Sequence, residues 1–196
     1  MWRPALLLCL LASAARAYEP ADGDIIFQRS PSPQSAAVER ATHSPLSHTG
    51  IIFLRHGQPF VLEAVGPVKY TSLETWKQDG VGGHYIIERL RQPLPAATMA
   101  KVRAAGEALL GRPYDVLFGW SDDRVYCSEL VWKAYQRGAG IEVGHLQTLR
   151  DFDLGDPVVA ALVHERYGDK SPPLDEPVIS PAAVHDAELL VTVEQH

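Results

Sequence analysis

Apolar residues follow two different spacings along this chain, and each spacing predicts a different kind of element. Short runs rich in β-branched and aromatic residues, bounded by Gly, Pro or Ser, are typical of strands. They predict strands at 23–28, 49–54, 59–64, 68–70, 84–90 and 189–193. Helical spacing of apolar residues predicts helices at 33–41, 73–78, 94–110, 127–137 and 158–167, with a short helix after Ser180-Pro181.

Local signals place the ends of several of these elements. Ser32 is expected to cap the first helix, with Pro33 at its first position. Arg55-His56-Gly57-Gln58 predicts a hairpin turn, and Gly138 is expected to end the helix that starts at 127. The chain shows no internal repeat, so the mixture of strands and helices predicts one α+β domain over residues 18–196.

The first 17 residues have the pattern of an export signal. Arg3 gives a positive start, an uncharged apolar run follows, and Ala15-Arg16-Ala17 has the small-x-small form of a cleavage site. The run is too short for a membrane-spanning helix. We therefore expect cleavage after Ala17 and a periplasmic or secreted protein. An uncleaved anchor or a buried first helix is the alternative.

The charge balance narrows the range of partners. The chain carries a net charge of −6 and has no basic cluster. This argues against nucleic acids and anionic membrane surfaces as main partners. No segment after the leader is apolar and long enough to span a bilayer, so an integral membrane segment is not expected in the mature chain.

Cysteine occurs twice in the sequence, at Cys9 in the expected leader and at Cys127. Cys127 would therefore have no partner for an internal disulfide in the exported chain. It falls at or near the first turn of a predicted helix, where the helix dipole and free backbone N–H groups favour a thiolate. Cys127 is thus a candidate nucleophile, and a buried inert cysteine is the alternative.

Two residues upstream are candidate partners for this thiol. His48 stands at the start of a predicted strand, where a rigid element could hold an imidazole as a general base. Glu63 lies among apolar residues on the next strand, so we expect an inward carboxylate that accepts from His48 Nδ1–H and orients the base. A surface or core histidine and a structural ion pair between Glu63 and Lys69 are the alternatives.

A metal site would compete for the same residue types. The sequence has neither an HExxH motif nor paired cysteines, and Pro45 breaks any helix between His43 and His48. No metal ligand set is therefore expected.

These residues and their surroundings resemble the YiiX-like family of circularly permuted papain-like amidases. That family is related to bacterial cell-wall cysteine endopeptidases and to lecithin retinol acyltransferase. The resemblance covers most of residues 18–196. It rests on Gly23-Asp24-Ile25-Ile26-Phe27-Gln28, Ala41-Thr42-His43-Ser44, Ser47-His48-Thr49-Gly50, Glu63-Ala64-Val65-Gly66-Pro67-Val68, Pro113-Tyr114-Asp115, Tyr126-Cys127-Ser128-Glu129-Leu130 and Ile179-Ser180-Pro181-Ala182.

The resemblance implies a permuted papain-like core, with an antiparallel sheet or partial barrel packed against helices. It implies Cys127 as nucleophile, His48 as base and Glu63 as the orienting acid. Tyr126 matches a tyrosine that the family keeps near its site, and packing against the sheet is the alternative. Asp24 and Tyr114 also match family positions. For both, a structural role is expected at least as much as a role in the site. The neighbouring serines, Ser128 and Ser47, are expected with Tyr126 in the substrate or oxyanion region.

The expected activity is hydrolysis of an amide bond through a thioester, with no cofactor. Export and the resemblance together favour cell-wall stem peptides or related small peptides as substrates. A lipid acyl hydrolase or acyltransferase with the same thiol chemistry is one alternative, which a broad apolar cleft would favour. A non-catalytic binding module with a deeply buried, unreactive Cys127 is the other.

Overall fold

The computed structural model describes residues 18–196, so the expected leader with Cys9 lies outside the described residues. The helices are α1 (Ser35–Thr42), α2 (Leu73–Asp79), α3 (Ala96–Glu107), α4 (Cys127–Ala139), α5 (Pro157–Tyr167) and α6 (Pro181–His185). The strands are β1 (Asp24–Gln28), β2 (His48–Arg55), β3 (Gln58–Ala64), β4 (Val68–Ser72), β5 (Tyr85–Leu90), β6 (Gln147–Thr148), β7 (Pro177–Val178) and β8 (Leu190–Gln195).

An antiparallel sheet of six strands forms the centre, in the order β4-β3-β2-β1-β5-β8. Helices pack against this sheet, which confirms the predicted α+β class. The two-residue strands β6 and β7 pair in a separate small sheet that the sequence did not predict. Within residues 18–196, no helix combines the length and the apolar character needed to cross a bilayer.

The central strands are apolar on both faces, so helices cover the sheet on either side. Alternate residues of a strand point to opposite faces. Ile51 and Phe53 of β2 join the large core with α3 and α4. Ile52 joins a smaller cluster around Trp76 of α2.

Strands β2 and β3 form a tight hairpin that sets the register of the sheet. Arg55 pairs with Gln58, and His56 and Gly57 between them have φ angles of 51° and 76°. Two positive φ angles are the requirement of a type I′ turn, whose twist matches that of the strands. This turn agrees with the predicted one.

Helices α3 and α4 pack at very short separation, which makes Gly138 an interior residue rather than the predicted helix end. A Cβ on Gly138 would lie 2.4 Å from the backbone N and Cα of Val102. The helix continues to Ala139 and ends at Gly140, whose φ of 68° is the left-handed conformation of a C-cap glycine. Close packing between helices therefore explains Gly138.

Helix α1 begins at Ser35, two residues beyond the predicted first position at Pro33, and Ser32 does not cap it. The preceding backbone is held instead by Ser47, whose Oγ accepts from the N–H of Ser30 at 2.9 Å. Ser47 Oγ also bonds Ser35 Oγ at 2.5 Å. A contact between residues distant in sequence thus holds the segment that leads into this helix.

Candidate active site

The thiol of Cys127 lies at the first residue of α4, and only 4% of the residue is exposed. Leu130, Val131 and Ala134 on the same helix are buried in the large core. Because α4 packs across β2, this apolar face fixes the helix start beside the beginning of that strand. The predicted position of Cys127 at a helix start agrees with the structure.

Buried ionic contacts hold the first turn of α4 in place. Glu129 Oε2 accepts from the N–H of Tyr126, at 3.1 Å, and its other oxygen lies 2.6 Å from Lys133 Nζ. Lys133 also reaches Asp122 at 2.9 Å in the loop before the cysteine. Burial raises the pKa of Glu129 to about 7, against the opposing effect of Lys133. Lys133 thus fastens the loop before Cys127 to the helix that follows it.

His48 is the first residue of β2, and its imidazole bridges the thiol and a carboxylate. Its Nε2 lies 2.7 Å from Glu63 Oε2, and the ring also hydrogen-bonds the Cys127 side chain. The nitrogen left for the thiol is Nδ1, which reverses the expected use of the two ring nitrogens. The structure therefore brings Cys127, His48 and Glu63 together in one hydrogen-bonded chain.

The carboxylate of Glu63 accepts hydrogen bonds from three side chains. Besides His48, the indole N–H of Trp76 donates to Oε2 at 2.9 Å, and Thr71 Oγ1 donates to Oε1. The Trp76 ring also stacks on the imidazole, with ring centroids 5.7 Å apart. Lys69 pairs with Glu63 in the strand register, but it acts on the carboxylate only through its charge. Trp76 and Thr71 gave no signal in the sequence.

The side chains of Cys127 and His48 are both buried, yet their neighbours shift the pKa of each toward its charged form. Burial raises the pKa of Cys127, but hydrogen bonding to His48, the charge of His48 and backbone hydrogen bonds from Thr49 and Ser128 bring that pKa below its ordinary value. Burial lowers the pKa of His48, whereas its bonds to Cys127 and Glu63 raise it well above its ordinary value of 6.5. Both shifts act toward a thiolate–imidazolium pair, the reactive form of a cysteine nucleophile.

Tyr114 also contacts the thiol. Its hydroxyl hydrogen-bonds Cys127 and accepts from Gln34 Nε2 at 2.6 Å. Arg166 then donates to Gln34 Oε1, also at 2.6 Å. Burial and the negative charge of Cys127 raise the pKa of the tyrosine well above its ordinary value. For Tyr114 the sequence favoured a structural role at least as much as a role in the site. The structure places it in the site, beside the thiol.

Tyr126, Ser128 and Ser47 were expected in the substrate or oxyanion region, and their hydroxyl groups have different hydrogen-bond partners. The Tyr126 hydroxyl accepts from the N–H of Ile179 at 3.0 Å, and Ser128 Oγ donates to the carbonyl of Ile179 at 2.7 Å. Ser128 faces the thiol through its backbone rather than its side chain. The hydroxyl of Ser47 is engaged with Ser30 and Ser35.

Asp24 has a structural role, which is one of the two roles that the sequence left open for it. Its carboxylate accepts from Arg89 at 2.6 and 2.8 Å and from the hydroxyl of Tyr18 at 2.7 Å. The N–H of Ala21 donates to the same carboxylate at 2.9 Å. These bonds fasten the segment before β1 to β5.

Two cavities adjoin the site. The first, here called the apolar chamber, has a volume of about 100 Å³ and reaches Cys127. Its walls come from the loop 116–118, from residues 149–154 and from α5, and they include Leu117, Phe118, Leu149, Phe152, Val159 and Val163. The second, the polar cleft, has a volume of about 360 Å³ and reaches His48. Besides His48, its polar lining residues are Ser30, Ser32, Gln34, Ser47, Tyr114, Glu165 and Arg166.

The described side chains do not gather into an evident metal site. Among residues 18–196, no group of three or more His, Cys, Asp and Glu side chains is placed to hold a metal ion. The carboxylate of Glu63 already accepts from His48, Trp76 and Thr71.

Comparison with known families identifies one that spans almost the whole described chain. Residues 19–194 match the family model of "Permuted papain-like amidase enzyme, YaeF/YiiX, C92 family". In papain-like enzymes the cysteine helix precedes the histidine strand, whereas here β2 with His48 precedes α4 with Cys127.

Individual relatives agree with this match. The uncharacterized protein YiiX of Escherichia coli strain K12 is 50% identical over 189 residues, which cover 96% of this chain and 93% of the relative. A crystal structure from Escherichia coli O157:H7, described as that of metalloprotein yiiX, superimposes with a TM-score of 0.88 at 50% identity. That comparison covers 91% of this chain and 99% of the crystallised one.

Proposed function

Because this chain belongs to the family of permuted papain-like amidases, we propose that it is a thiol hydrolase that cleaves an amide bond. Cys127 is the nucleophile, His48 the base and Glu63 the acid that orients it. One observation carries the assignment. The Cys127 thiol and the Glu63 carboxylate hydrogen-bond the same imidazole, and the pKa values of Cys127 and His48 shift in opposite directions toward an ion pair.

The reaction follows from this geometry in two stages. The Cys127 thiolate attacks the amide carbonyl, and the C–S bond forms as the oxygen becomes an anion. When the tetrahedral intermediate collapses, the C–N bond breaks and the His48 imidazolium gives its proton to the departing nitrogen. Water, deprotonated by His48, then attacks the thioester and releases the acid and the free thiol.

Groups around the thiol can stabilise the oxyanion. The backbone N–H groups of Thr49 and Ser128 lie close enough to Cys127 to lower the pKa of its thiol, and the Tyr114 hydroxyl lies beside the same thiol. Preorganised donors of this kind contribute most where water is excluded. We assign Tyr114 to this role. Tyr126 and the Ser128 hydroxyl instead hold the backbone at Ile179, just after β7.

The expected leader, the family and the cavity beside the thiol bear on the substrate. The expected export signal at residues 1–17 and the family together support cell-wall stem peptides or related small peptides. The apolar chamber beside Cys127 supports the second candidate, a substrate with an acyl chain, because its walls carry few groups that could bind a peptide backbone. Both candidates use the same thioester chemistry.

The description of the crystallised relative as a metalloprotein bears on the cofactor. The side chains of residues 18–196 do not fit a metal centre, since they form no cluster of three or more candidate ligands.

An electrophilic acyl probe tests the proposal. An activated amide such as an acyl para-nitroanilide is expected to release nitroaniline and to leave an acyl group on Cys127, detected by mass spectrometry of the peptide. Cys127→Ala removes the nucleophile and is expected to cost several orders of magnitude in rate while the circular dichroism spectrum stays unchanged. Turnover by a well-folded Cys127→Ala protein would rule out the thiol mechanism.

A further inference from the structure

Three polar side chains form a line that ends at the thiol. Arg166 donates to Gln34 Oε1 at 2.6 Å, and Gln34 Nε2 donates to the Tyr114 hydroxyl, also at 2.6 Å. This hydroxyl lies beside the thiol of Cys127, and both residues line the apolar chamber. Gln34 directly precedes α1, Tyr114 lies in the loop before α4, and Arg166 lies on α5. The line is therefore assembled from three segments that are distant in sequence.

The chemistry of the head groups gives each hydrogen bond in this line a direction. A guanidinium can only donate, so Arg166 holds the Gln34 amide with its oxygen toward α5 and its NH2 group toward Tyr114. The tyrosine oxygen must then accept from Gln34. A phenol has one proton, and no oxygen within residues 18–196 accepts it. That proton is left for the side on which Cys127 lies.

The backbone fixes the ring of Tyr114 but not its hydroxyl proton. Tyr114 forms a parallel bridge with Val125, whose N–H donates to the carbonyl of Pro113 at 3.0 Å. Because this bridge ends two residues before Cys127, it holds the ring beside the thiol. The O–H can still turn about its C–O bond. The hydrogen bond from Gln34 determines which way it turns.

The stability of α1 does not explain the side chain of Gln34. This residue occupies the N-cap position, where Ser, Thr, Asp and Asn are the usual residues, yet its side chain makes no capping hydrogen bond. Its partner Arg166 is half-buried and has no carboxylate at ion-pair distance within residues 18–196. A glutamate at position 34 would give Arg166 an ion pair, but when ionised it could not donate to Tyr114. An amide accepts at one atom and donates at the other, as this line requires.

We propose that Gln34 and Arg166 are positioning residues that turn the proton of Tyr114 toward the reaction centre, where the hydroxyl stabilises the oxyanion. This inference rests on the proposed thiol amidase function and on the role assigned there to Tyr114. The hydroxyl donates to the negative charge, first on the sulfur of Cys127 and then on the carbonyl oxygen as the C–S bond forms. It keeps its own proton throughout, because burial and the charge of Cys127 raise the pKa of Tyr114 well above its ordinary value.

Gln34→Glu tests the direction of the hydrogen bond with almost no change of shape. An ionised carboxylate only accepts, so we expect Tyr114 to turn its proton toward position 34 and away from the reaction centre. With the acyl para-nitroanilide as substrate, kcat should fall about 100-fold, as when an oxyanion donor is removed, while KM changes little. Urea unfolding should show no loss of stability, because Arg166 gains an ion pair.

Tyr114→Phe separates this effect from a general effect of the new charge. Without the hydroxyl there is no proton to direct, so Gln34→Glu should then change kcat by less than about twofold. Arg166→Met releases the Gln34 amide and is expected to lower kcat about tenfold, again only where the Tyr114 hydroxyl is present. Arg166→Lys keeps a donor and should retain more activity than Arg166→Met.

Gln136→Glu is the matched control for the charge. It makes the same substitution at an exposed position of α4 that lines neither cavity, and it should leave kcat unchanged. Two results with Gln34→Glu would overturn the inference. One is a kcat equal to that of the wild type. The other is an equal fold-loss with and without the Tyr114 hydroxyl, which would mean that the charge acts on the site directly.

A second measurement separates this inference from the proposed function. If the wild type cleaves no activated amide and Cys127 is not acylated, the thiol amidase function fails. The same variants are then compared by the pH dependence of Cys127 alkylation with iodoacetamide, because a donated hydrogen bond lowers the pKa of the thiol. A larger rise in that pKa on Gln34→Glu with the Tyr114 hydroxyl than without it would support the positioning of the proton. An equal rise in both backgrounds would overturn it.

Discussion

At the residue scale, the state of the thiol depends on two opposing contributions. Only 4% of Cys127 is exposed, and Ser128 and Glu129 beside it in the first turn of α4 are buried as well. Burial alone would favour the neutral thiol. His48 and the backbone N–H groups of Thr49 and Ser128 outweigh it, so the pKa of Cys127 is still below its ordinary value.

Thiol reactivity against pH gives the first prediction. Alkylation requires the thiolate, so its rate rises with pH through the thiol pKa, and a lowered pKa moves this rise below the ordinary value of about 8.5. His48→Ala removes the hydrogen bond and the positive charge while burial remains. We expect the rise to move above about 8.5 in this variant, as measured with iodoacetamide.

His164→Ala serves as the control, because that histidine is exposed on α5. Its profile should match the wild type. A wild-type thiol that reacts only above its ordinary pKa, with no change in His48→Ala, would favour the inert binding module over the enzyme.

The second prediction concerns the indole that holds the carboxylate. Trp76→Phe keeps an aromatic ring beside His48 but removes the 2.9 Å hydrogen bond to Glu63 Oε2. A buried charge-assisted hydrogen bond contributes about 1.5–3 kcal/mol. We expect kcat/KM to fall at least tenfold, together with a rise in the pH at which Cys127 becomes reactive.

Trp132→Phe is the matched control for Trp76→Phe. The indole N–H of Trp132 is buried without a hydrogen-bond partner among residues 18–196, so its removal costs no hydrogen bond. Kinetics of that variant should equal those of the wild type. An equal loss of activity in both variants would mean that Trp76 acts through packing alone.

At the scale of secondary structure, the position of the thiol depends on how α4 packs. One face of α4 lies on β2, and another approaches α3 so closely that Gly138 has no room for a side chain. The contacts of Lys133 with Asp122 and Glu129 add a second anchor at the N-terminal end. Together they fix the axial position of Cys127 relative to His48.

Gly138→Ala is expected to destabilise the protein. The new Cβ would meet the backbone of Val102 at 2.4 Å, which forces α3 and α4 apart. Overpacking of this kind costs about 1–3 kcal/mol, against about 1 kcal/mol that Ala gains over Gly inside a helix. Urea unfolding should show a net loss, whereas Gly66→Ala, with no atom within 4 Å of its Cβ, should change little.

At the scale of the whole molecule, the two ends of the described chain lie on the same part of the sheet. Tyr18 bonds Asp24 on β1, and β8 forms the edge of the sheet next to β5. Tyr18 is also the first residue after the expected cleavage site. A chain that begins there would keep every contact described for the site.

We therefore expect an exported mature protein that begins at or near Tyr18. N-terminal sequencing of the protein from the periplasm or the medium of its native host measures this directly. A mature chain that begins at Met1 would contradict export with cleavage, and it would restore Cys9 as a second thiol beside Cys127.

Much of the fold was predictable from local pattern. Strands such as β1 and β3 and the hairpin at His56-Gly57 follow from apolar runs and turn residues whose preferences act over a few positions. The capping of α2 by Ser72 and of α6 by Ser180 is equally local. The start of α1 and the end of α4 were predicted wrongly. Ser47, distant in sequence, holds the backbone before α1. Gly138 is a glycine because of its packing against Val102, and the helix ends two residues later at Gly140.

The sequence by itself determined the class of fold, the family and the candidates Cys127, His48 and Glu63, because motif and periodicity are properties of the chain. Only the tertiary structure decided that Nε2 of His48 faces Glu63, that Trp76 and Thr71 hold that carboxylate, and that Tyr114 contacts the thiol. It also decided the contrast between the apolar chamber and the polar cleft. These features arise where elements far apart in the chain meet, and local sequence carries no record of such distances.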